Sequence, residues 1–308
     1  MTRIPHPALQ STQRRQGPSS PTAPPAADDH AIARKLSARH LSSGYGQRTV
    51  VNNVSVDIPT GKITVIIGAN ACGKSTLLKT LARVLPTRGG AVTLDDTPLE
   101  RIPNRTLAKR LGLLPQQPIA PEGITVADLV SRGRHPHQGL FTSSRRMDAH
   151  LVDEALRVTH TSELAQRRVE ELSGGQRQRV WIAMSLAQHT DILLLDEPTT
   201  FLDLAHQVEV LDLLTDLNRR RGTTIAMVLH DINLAARYGD HVIAMKQGSI
   251  VASGAPSDII DEALIQEVYN LPSTVVRDPA SDTPLVVPLG RHHVTKAEGP
   301  RKTEEVCA

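Results

Sequence analysis

From Leu36 onward the chain alternates short apolar runs with longer amphipathic stretches. "LSARHLSSGY" reads as strand, and "VNNVSVDI" puts apolar residues at every second position, the period of a strand covered on one face. "KITVIIG" is instead a continuous apolar run, as in a strand covered on both faces. "STLLKTLARVL" changes to helical spacing and is expected to continue until just before Pro86. A β-rich stretch, "GGAVTLDDTPL", and a helix over "RTLAKRLG" follow. Between Pro118 and about Leu172, "VADLVSRGR" and "MDAHLVDEALRVT" carry helical patterns. "DILLLDE" and "TTIAMVLHD" return to buried strands, separated by the amphipathic "QVEVLDLLTDLNRRRG", which Gly222 closes. A helix over "INLAARYGD" and a hairpin-like "HVIAMKQGSIVASG" complete the series. Strands alternating with helices predict an α/β domain on a mainly parallel sheet, with the helical middle inserted into it. No internal repeat is present.

The N-terminal segment differs. Met1 to about Arg34 is rich in Pro, Ser, Ala and Gln without sustained periodicity, and reads as a disordered tail over residues 1–36. The expected division is then a main domain over 37–275, with its helical insertion at about 118–185, and a C-terminal extension over 276–308.

Composition narrows the class without naming it. A content of 39% apolar and 22% charged residues is that expected of a soluble globular protein. Its net charge of +3 is spread along the sequence, which permits contact with an anionic membrane surface and argues only weakly for nucleic acid. The two cysteines, Cys72 and Cys307, have no metal-ligand spacing. No apolar run approaches the length of a membrane-spanning helix, and "MTRIPHPALQSTQRR" lacks the apolar core of a secretory signal. Work at a membrane would therefore require another chain to span it.

The chemistry begins where the apolar strand "KITVIIG" gives way to helix. Gly68-Ala-Asn-Ala-Cys-Gly73-Lys74-Ser75 matches G-x-x-x-x-G-K-[ST] in the strand–loop–helix context that motif requires. Backbone N–H groups and the helix N-terminus face phosphates, Lys74 reaches the β and γ oxygens, and the Ser75 hydroxyl binds Mg²⁺. The expected nucleotide contacts are Gly68, Asn70, Ala71, Cys72, Gly73, Lys74, Ser75 and Thr76. The motif leaves position 71 free, so the backbone of Ala71 is expected in a conformation that a methyl group tolerates. Cys72, beside the phosphates, is expected to be partly exposed and open to maleimide.

Two further strand endings carry ionisable groups. "ILLLDEP" sets Asp196 and Glu197 at the carboxyl edge of a buried strand, where ligands collect in open parallel sheets. Asp196 can hold Mg²⁺ through its water shell, and Glu197 can orient or deprotonate an attacking water. "MVLHD" ends another strand at His230, placed to contact a γ-phosphate. A second phosphate-binding device lies in "LSGGQRQRVWIAMSLAQ", where a Ser-Gly-Gly turn runs into a helix whose N-terminus offers N–H donors.

This set resembles the ATP-binding-cassette ATPases. Their motifs recur in order: an aromatic (Tyr45), the phosphate loop, a glutamine in "LLPQQP", "LSGGQ", "LLLDEP", an Asp in "TTFLD" (Asp203) and the histidine His230. The resemblance covers about residues 38 to 290 and implies a P-loop cassette with a mainly parallel core sheet, an antiparallel β portion and an inserted helical subdomain. It also implies roles: Tyr45 stacks on adenine, and Gln116, with Gln117 as the alternative, approaches Mg²⁺ and the water. Glu197, His230, Lys74 and Gln116 form the catalytic set, and Ser75, Gln116 and Asp196 the Mg²⁺ set. Ser173, Gly174, Gly175 and Gln176 bind the nucleotide of a second copy, joined by Asp203. Each motif occurs once, so a complete pair of sites requires a homodimer.

"SRGRHPHQGLFTSSRRMD" and "DPASDTPLVVPLGR" further resemble the ferric-siderophore importers, most closely the ferric enterobactin type. The implied system has two transmembrane permease subunits, an extracytoplasmic siderophore-binding protein, and this chain on the cytoplasmic face of the membrane, with no nucleic acid partner. His135 and His137 would lie near the permease docking surface; no carboxylate or cysteine completes a metal-ligand set around them. Vitamin B12, haem or another chelate is the alternative cargo. A soluble cassette acting on ribosomes or DNA is the alternative from another class. Ala69 and Ala71, where the family often has Pro and Gly, are departures.

Overall fold

The computed structural model describes residues 31–138, 143–200 and 202–292. The chain opens with two antiparallel strands, β1 (Leu36–Tyr45) and β2 (Arg48–Ile58), followed by β3 (Ile63–Gly68) and helix α1 (Lys74–Leu81). β4 (Thr87–Leu94) and the short β5 (Thr97–Pro98) complete a four-stranded antiparallel sheet in the order β2-β1-β4-β5. Helix α2 (Asn104–Arg110) leads into β6 (Leu111–Leu114). Three helices come next, α3 (Val126–Arg132), α4 (Ser143–Val158) and α5 (Gly174–Ala187), packed on one another. They form the insertion. β7 (Ile192–Asp196), α6 (Leu204–Arg221), β8 (Thr224–Val228), α7 (Ile232–Tyr238), β9 (His241–Lys246) and β10 (Ser249–Gly254) return the chain to the main sheet. Helices α8 (Pro256–Ile259) and α9 (Glu262–Tyr269) then precede a hairpin of β11 (Ser273–Arg277) and β12 (Pro284–Pro288).

The main sheet has the order β10-β9-β3-β8-β7-β6, parallel except for the β10 edge. All six residues of β3 and all five of β7 and β8 are buried. Successive side chains serve opposite faces: Val65 and Ile67 join the core beneath α5, α6 and α7, while Ile66 joins the core shared by α1 and the antiparallel sheet. A continuous apolar run therefore reads correctly as a strand covered on both sides. Leu77, Leu78 and Leu81 of α1 are fully buried against that second face, each stabilising by roughly 2 kcal/mol.

Register decides what shares the carboxyl edge. Ile66 pairs with Val228, and Asp196 also pairs with Val228, so β3, β8 and β7 end in step. Gly68, Glu197 and His230 are brought to one edge by that alignment.

Several boundaries differ from the sequence pattern. Helix α1 ends at Leu81 because Arg83 turns left-handed at φ 57° and its guanidinium binds the carbonyls of Leu99 and Ile102. Residues 31–36, expected in the tail, are tied down: the Ala31 N–H donates to Arg221 O, that of Ile32 to Asp191 Oδ1, and Leu36 is fully buried. The remainder of the expected tail, residues 1–30, lies outside the described residues, as do 139–142 of the "HQGLFT" stretch and 293–308 with Cys307. A boundary after residue 275 falls inside the terminal hairpin, where Val275 pairs with Val286.

Candidate active site

At the end of β3 the chain must leave the sheet and enter α1 without blocking the helix N-terminus. Gly68 allows this because a Cβ there would meet Met245 O at 2.4 Å. Gly73, with φ 110°, sits at the N-cap and carries no side chain to satisfy the first N–H groups of α1. Those donors and the helix dipole make the loop an anion site. The Lys74 ammonium, buried, donates to Gly68 O at 2.8 Å and Ala69 O at 3.0 Å. It is folded back onto its own loop.

Two expectations for the loop are overturned. Ala71 has φ 62°, in the left-handed region, where a methyl group costs about 1 kcal/mol relative to glycine. Cys72 is 6% exposed, turned under the loop with its Sγ 4.0 Å from Lys74 Nζ, so it is not the accessible thiol its position suggests.

Around the loop ten of the sequence-derived residues share one cleft of about 260 Å³. Tyr45, Asn70, Ala71, Cys72, Gly73, Lys74, Ser75, Thr76, Glu197 and His230 line it, joined by Arg48 and Val50. Tyr45 is half exposed at its mouth. Size does not pick this cleft out: a cavity of about 430 Å³ between α4, α5 and α6, lined by Leu151, Ala155, Leu186 and Leu213, holds no phosphate-binding device.

Ser75 Oγ donates to Asp196 Oδ1 at 2.8 Å, and Lys79 Nζ stands 3.8 Å from Oδ2. Burial raises the carboxyl pKa of Asp196 above its usual range, outweighing the Ser75 hydrogen bond and the Lys79 charge. Its Oδ2 is buried with no hydrogen-bond partner. A buried carboxylate oxygen left in this condition, beside a hydroxyl and facing phosphate-binding donors, suits a hard cation. Ser75 and Asp196 thus fit Mg²⁺.

Glu197 is held from three sides. Gln116 Nε2 donates to Oε2 at 2.6 Å, Thr200 Oγ1 donates to the same oxygen at 3.1 Å, and His230 Nε2 lies 2.6 Å from Oε1. Glu197 also has φ 56°, an uncommon conformation that turns the side chain out of the strand direction. The alternative glutamine, Gln117, is exposed and outside this cluster. Thr200 was not singled out by the sequence, nor were Arg48 and Lys79. A hydroxyl after "EP", an arginine at the β1–β2 turn and a lysine in the last turn of α1 look like ordinary surface residues until the fold sets Thr200 against Glu197, Arg48 on the cleft and Lys79 beside Asp196.

The Ser-Gly-Gly turn and Asp203 do not line this cleft. Ser173 caps α5 in a reciprocal pair with Gln176, its Oγ accepting from Gln176 N at 3.2 Å. Asp203 caps α6 by accepting from His206 N at 3.0 Å. Ser173 and Gly174 are exposed, and a Cβ built at Gly174 would meet nothing within 4 Å. The chain's own packing does not require glycine there. Gln178 Nε2 donates to Pro198 O at 2.9 Å, tying α5 to the segment after Glu197.

Among the described residues no group of three or more His, Cys, Asp or Glu side chains is arranged to hold an ion. Nor, among the described residues, is any helix long and apolar enough to cross a membrane.

A parallel sheet whose carboxyl edge joins a phosphate loop, an Asp-Glu pair and a histidine defines a P-loop nucleoside triphosphatase. The family model for ABC transporters matches residues 51–200. The achromobactin transport ATP-binding protein of Dickeya dadantii is 54% identical over 256 residues, covering 83% of this chain and 95% of that one. The ferric enterobactin transport ATP-binding protein of Escherichia coli is 51% identical over 257 residues, with the same coverage of each. Among solved structures, the dimer of a bacterial ABC transporter cassette superposes with a TM-score of 0.65 at 28% identity, covering 71% of this chain and 98% of that one. A post-hydrolysis state of the same cassette, with ADP and Pi, gives 0.62. The chain belongs to the ATP-binding proteins of the ABC transporter family. It is an ATPase of that type.

Proposed function

We propose that this chain is the ATP-hydrolysing subunit of an importer for iron(III)–siderophore complexes, held on the cytoplasmic face of a membrane by two permease subunits. Two copies pair head to tail, so that the phosphate loop of one faces Ser173, Gly174, Gly175 and Gln176 of the other. The observation that carries this pairing is the bare turn at Gly174, exposed and roomy, outside the cleft of its own chain. Asp203 lies at the same junction in this reading.

Within each site Tyr45 stacks on the base, and the loop N–H groups with Lys74 take the β- and γ-phosphates. To do so, Lys74 exchanges the carbonyls of Gly68 and Ala69 for phosphate oxygens. Ser75, Asp196 and Gln116 would hold Mg²⁺, which when bound neutralises charge on the phosphate oxygens. Glu197 orients the attacking water and accepts its proton, which requires one of its donors to give way. Gln116 and His230 contact the γ-phosphate side and sense its departure. Closure of the pair on ATP is the stroke passed to the permease, and hydrolysis reopens it.

The cargo rests on the relatives named for achromobactin and ferric enterobactin transport, at 54% and 51% identity. An external siderophore-binding protein delivers it to the permease. The test is uptake of radiolabelled iron presented on catecholate and other siderophores, in cells with and without this chain. Uptake should fall without the chain and return with the wild type but not with Lys74→Ala. Undiminished iron uptake, with haem or vitamin B12 uptake lost instead, would overturn the cargo.

A further inference from the structure

The proposed catalytic set leaves one contact on the phosphate loop unused. β8 pairs with β3 as far as Ile66↔Val228, and two residues further the Gly68 N–H, at the root of the loop, donates to Tyr269 Oη at 3.0 Å. A backbone donor at a strand end must find a partner. Here it comes from a helix far along the chain. Tyr269 is the last residue of α9, whose Leu264, Ile265 and Val268 are buried in the main core. Asp261 caps that helix by accepting from Leu264 N at 2.7 Å, and Asn270 closes it at φ 52°. The hairpin behind it is attached by Val275 N–H donating to Glu262 Oε1 at 2.8 Å.

Elsewhere α9 stands away from the loop. A cavity of about 490 Å³ is lined by Ala69–Cys72 on one side and Gln266–Asn270 on the other, and beside it the Tyr269 hydroxyl makes the contact to Gly68. Burial pushes that hydroxyl up to about 12, which keeps it protonated and neutral at physiological pH. On its other side Gly68 has no slack, packed so closely on β9 that a Cβ would meet Met245 O. Position 68 is therefore fixed between β9 and Tyr269, and the loop with its left-handed Ala71 starts from that point.

We infer that Tyr269 is a positioning residue for nucleotide binding: its hydroxyl fixes the root of the phosphate loop and thereby lets the C-terminal segment set ATP affinity. The inference rests on the reading of the loop as the ATP site. Tyr269 does not touch the reacting atoms.

The test is Tyr269→Phe in the full chain, which keeps the buried ring and removes the acceptor. The expected result is a rise of about fivefold in the Kd and KM for ATP, because the loop root no longer starts from one fixed position, with kcat within about twofold and a small fall in melting temperature from the lost hydrogen bond. Hydrogen exchange of the wild-type Gly68 amide gives a second reading that needs no variant, and should be slow. Unchanged Kd in Tyr269→Phe, a fall in kcat with KM unaltered, or rapid exchange at wild-type Gly68 would each overturn the inference. Failure of the wild type itself to bind ATP would overturn the site reading instead.

Discussion

Glu197 Oε1 and His230 Nε2 lie 2.6 Å apart, although one follows β7 and the other follows β8. The other Glu197 oxygen accepts from Gln116 and Thr200, so both oxygens are engaged within the chain. A carboxylate so fully engaged cannot take a proton from water until a donor leaves. Glu197→Gln should therefore bind ATP like the wild type while its turnover falls by about two to four orders of magnitude. His230→Ala is expected to lower kcat by about 100-fold with little change in affinity. Thr200→Val, removing one donor, should cost about five- to tenfold. Phosphate release and equilibrium ATP binding, measured on the same preparations, check all three; wild-type turnover of Glu197→Gln would remove that residue from its role.

Gly174 separates folding from pairing. It occupies the first turn of α5, where alanine is the better helix former by up to about 1 kcal/mol, and nothing in the chain would touch the added methyl. Gly174→Ala should melt slightly higher than the wild type and bind ATP normally. Turnover should nonetheless fall more than about tenfold, because in the proposed pairing the methyl group would stand where the neighbouring copy's phosphate approaches. Unimpaired ATPase activity in this variant would leave the bare turn without a trans role.

Ala71 tests the strain in the phosphate loop. At φ 62° the methyl group is disfavoured, so Ala71→Gly is expected to raise stability by up to about 1 kcal/mol in urea titration. Ala71→Val should do the opposite, because a β-branched residue is a severe outlier at positive φ. Its loop cannot keep this shape, and ATP affinity should fall more than about tenfold. Equal affinities for the valine, alanine and glycine forms would show that the loop shape at this position does not govern binding.

What the sequence disclosed, and what it withheld, follows from the range of the interactions involved. β3, β7 and β8 were legible because a strand covered on both faces must be apolar throughout, and the residues ending them were legible because polar groups after such a run stand out. The helical insertion followed from period, whereas the antiparallel portion was implied only by the resemblance to the cassette ATPases. Tyr269 was invisible: an aromatic residue at the end of an amphipathic helix looks like packing, and only the folded chain sets its hydroxyl against Gly68. The burial of Cys72, whose Sγ packs against Gly68, and the left-handed turn at Ala71 are set as the folded chain closes around the loop, which no local spacing encodes. Thr200 was missed for the same reason, since its partner Glu197 turns toward it only through an unusual backbone angle.

The far end of α5 carries a pH dependence. His137 Nε2 lies 2.9 Å from Gln188 O, the C-cap of α5, next to Arg134, whose buried guanidinium binds Asp148 at 2.9 Å and Ala187 O at 2.9 Å. Burial first, then the Arg134 charge, lowers the imidazole pKa to about 4. In the unfolded chain the same group titrates near 6.5. Between these values the unfolded state binds more protons, so stability declines as pH falls from about 6.5 toward 4 and is untouched by this group above 6.5. With the side chain half-buried and the shift discounted for solvent screening, the loss is on the order of 1–2 kcal/mol. His137→Gln cannot titrate. Its unfolding free energy in urea should therefore drop less than that of the wild type between pH 7 and pH 4, and parallel profiles for the two proteins would place the acid sensitivity elsewhere.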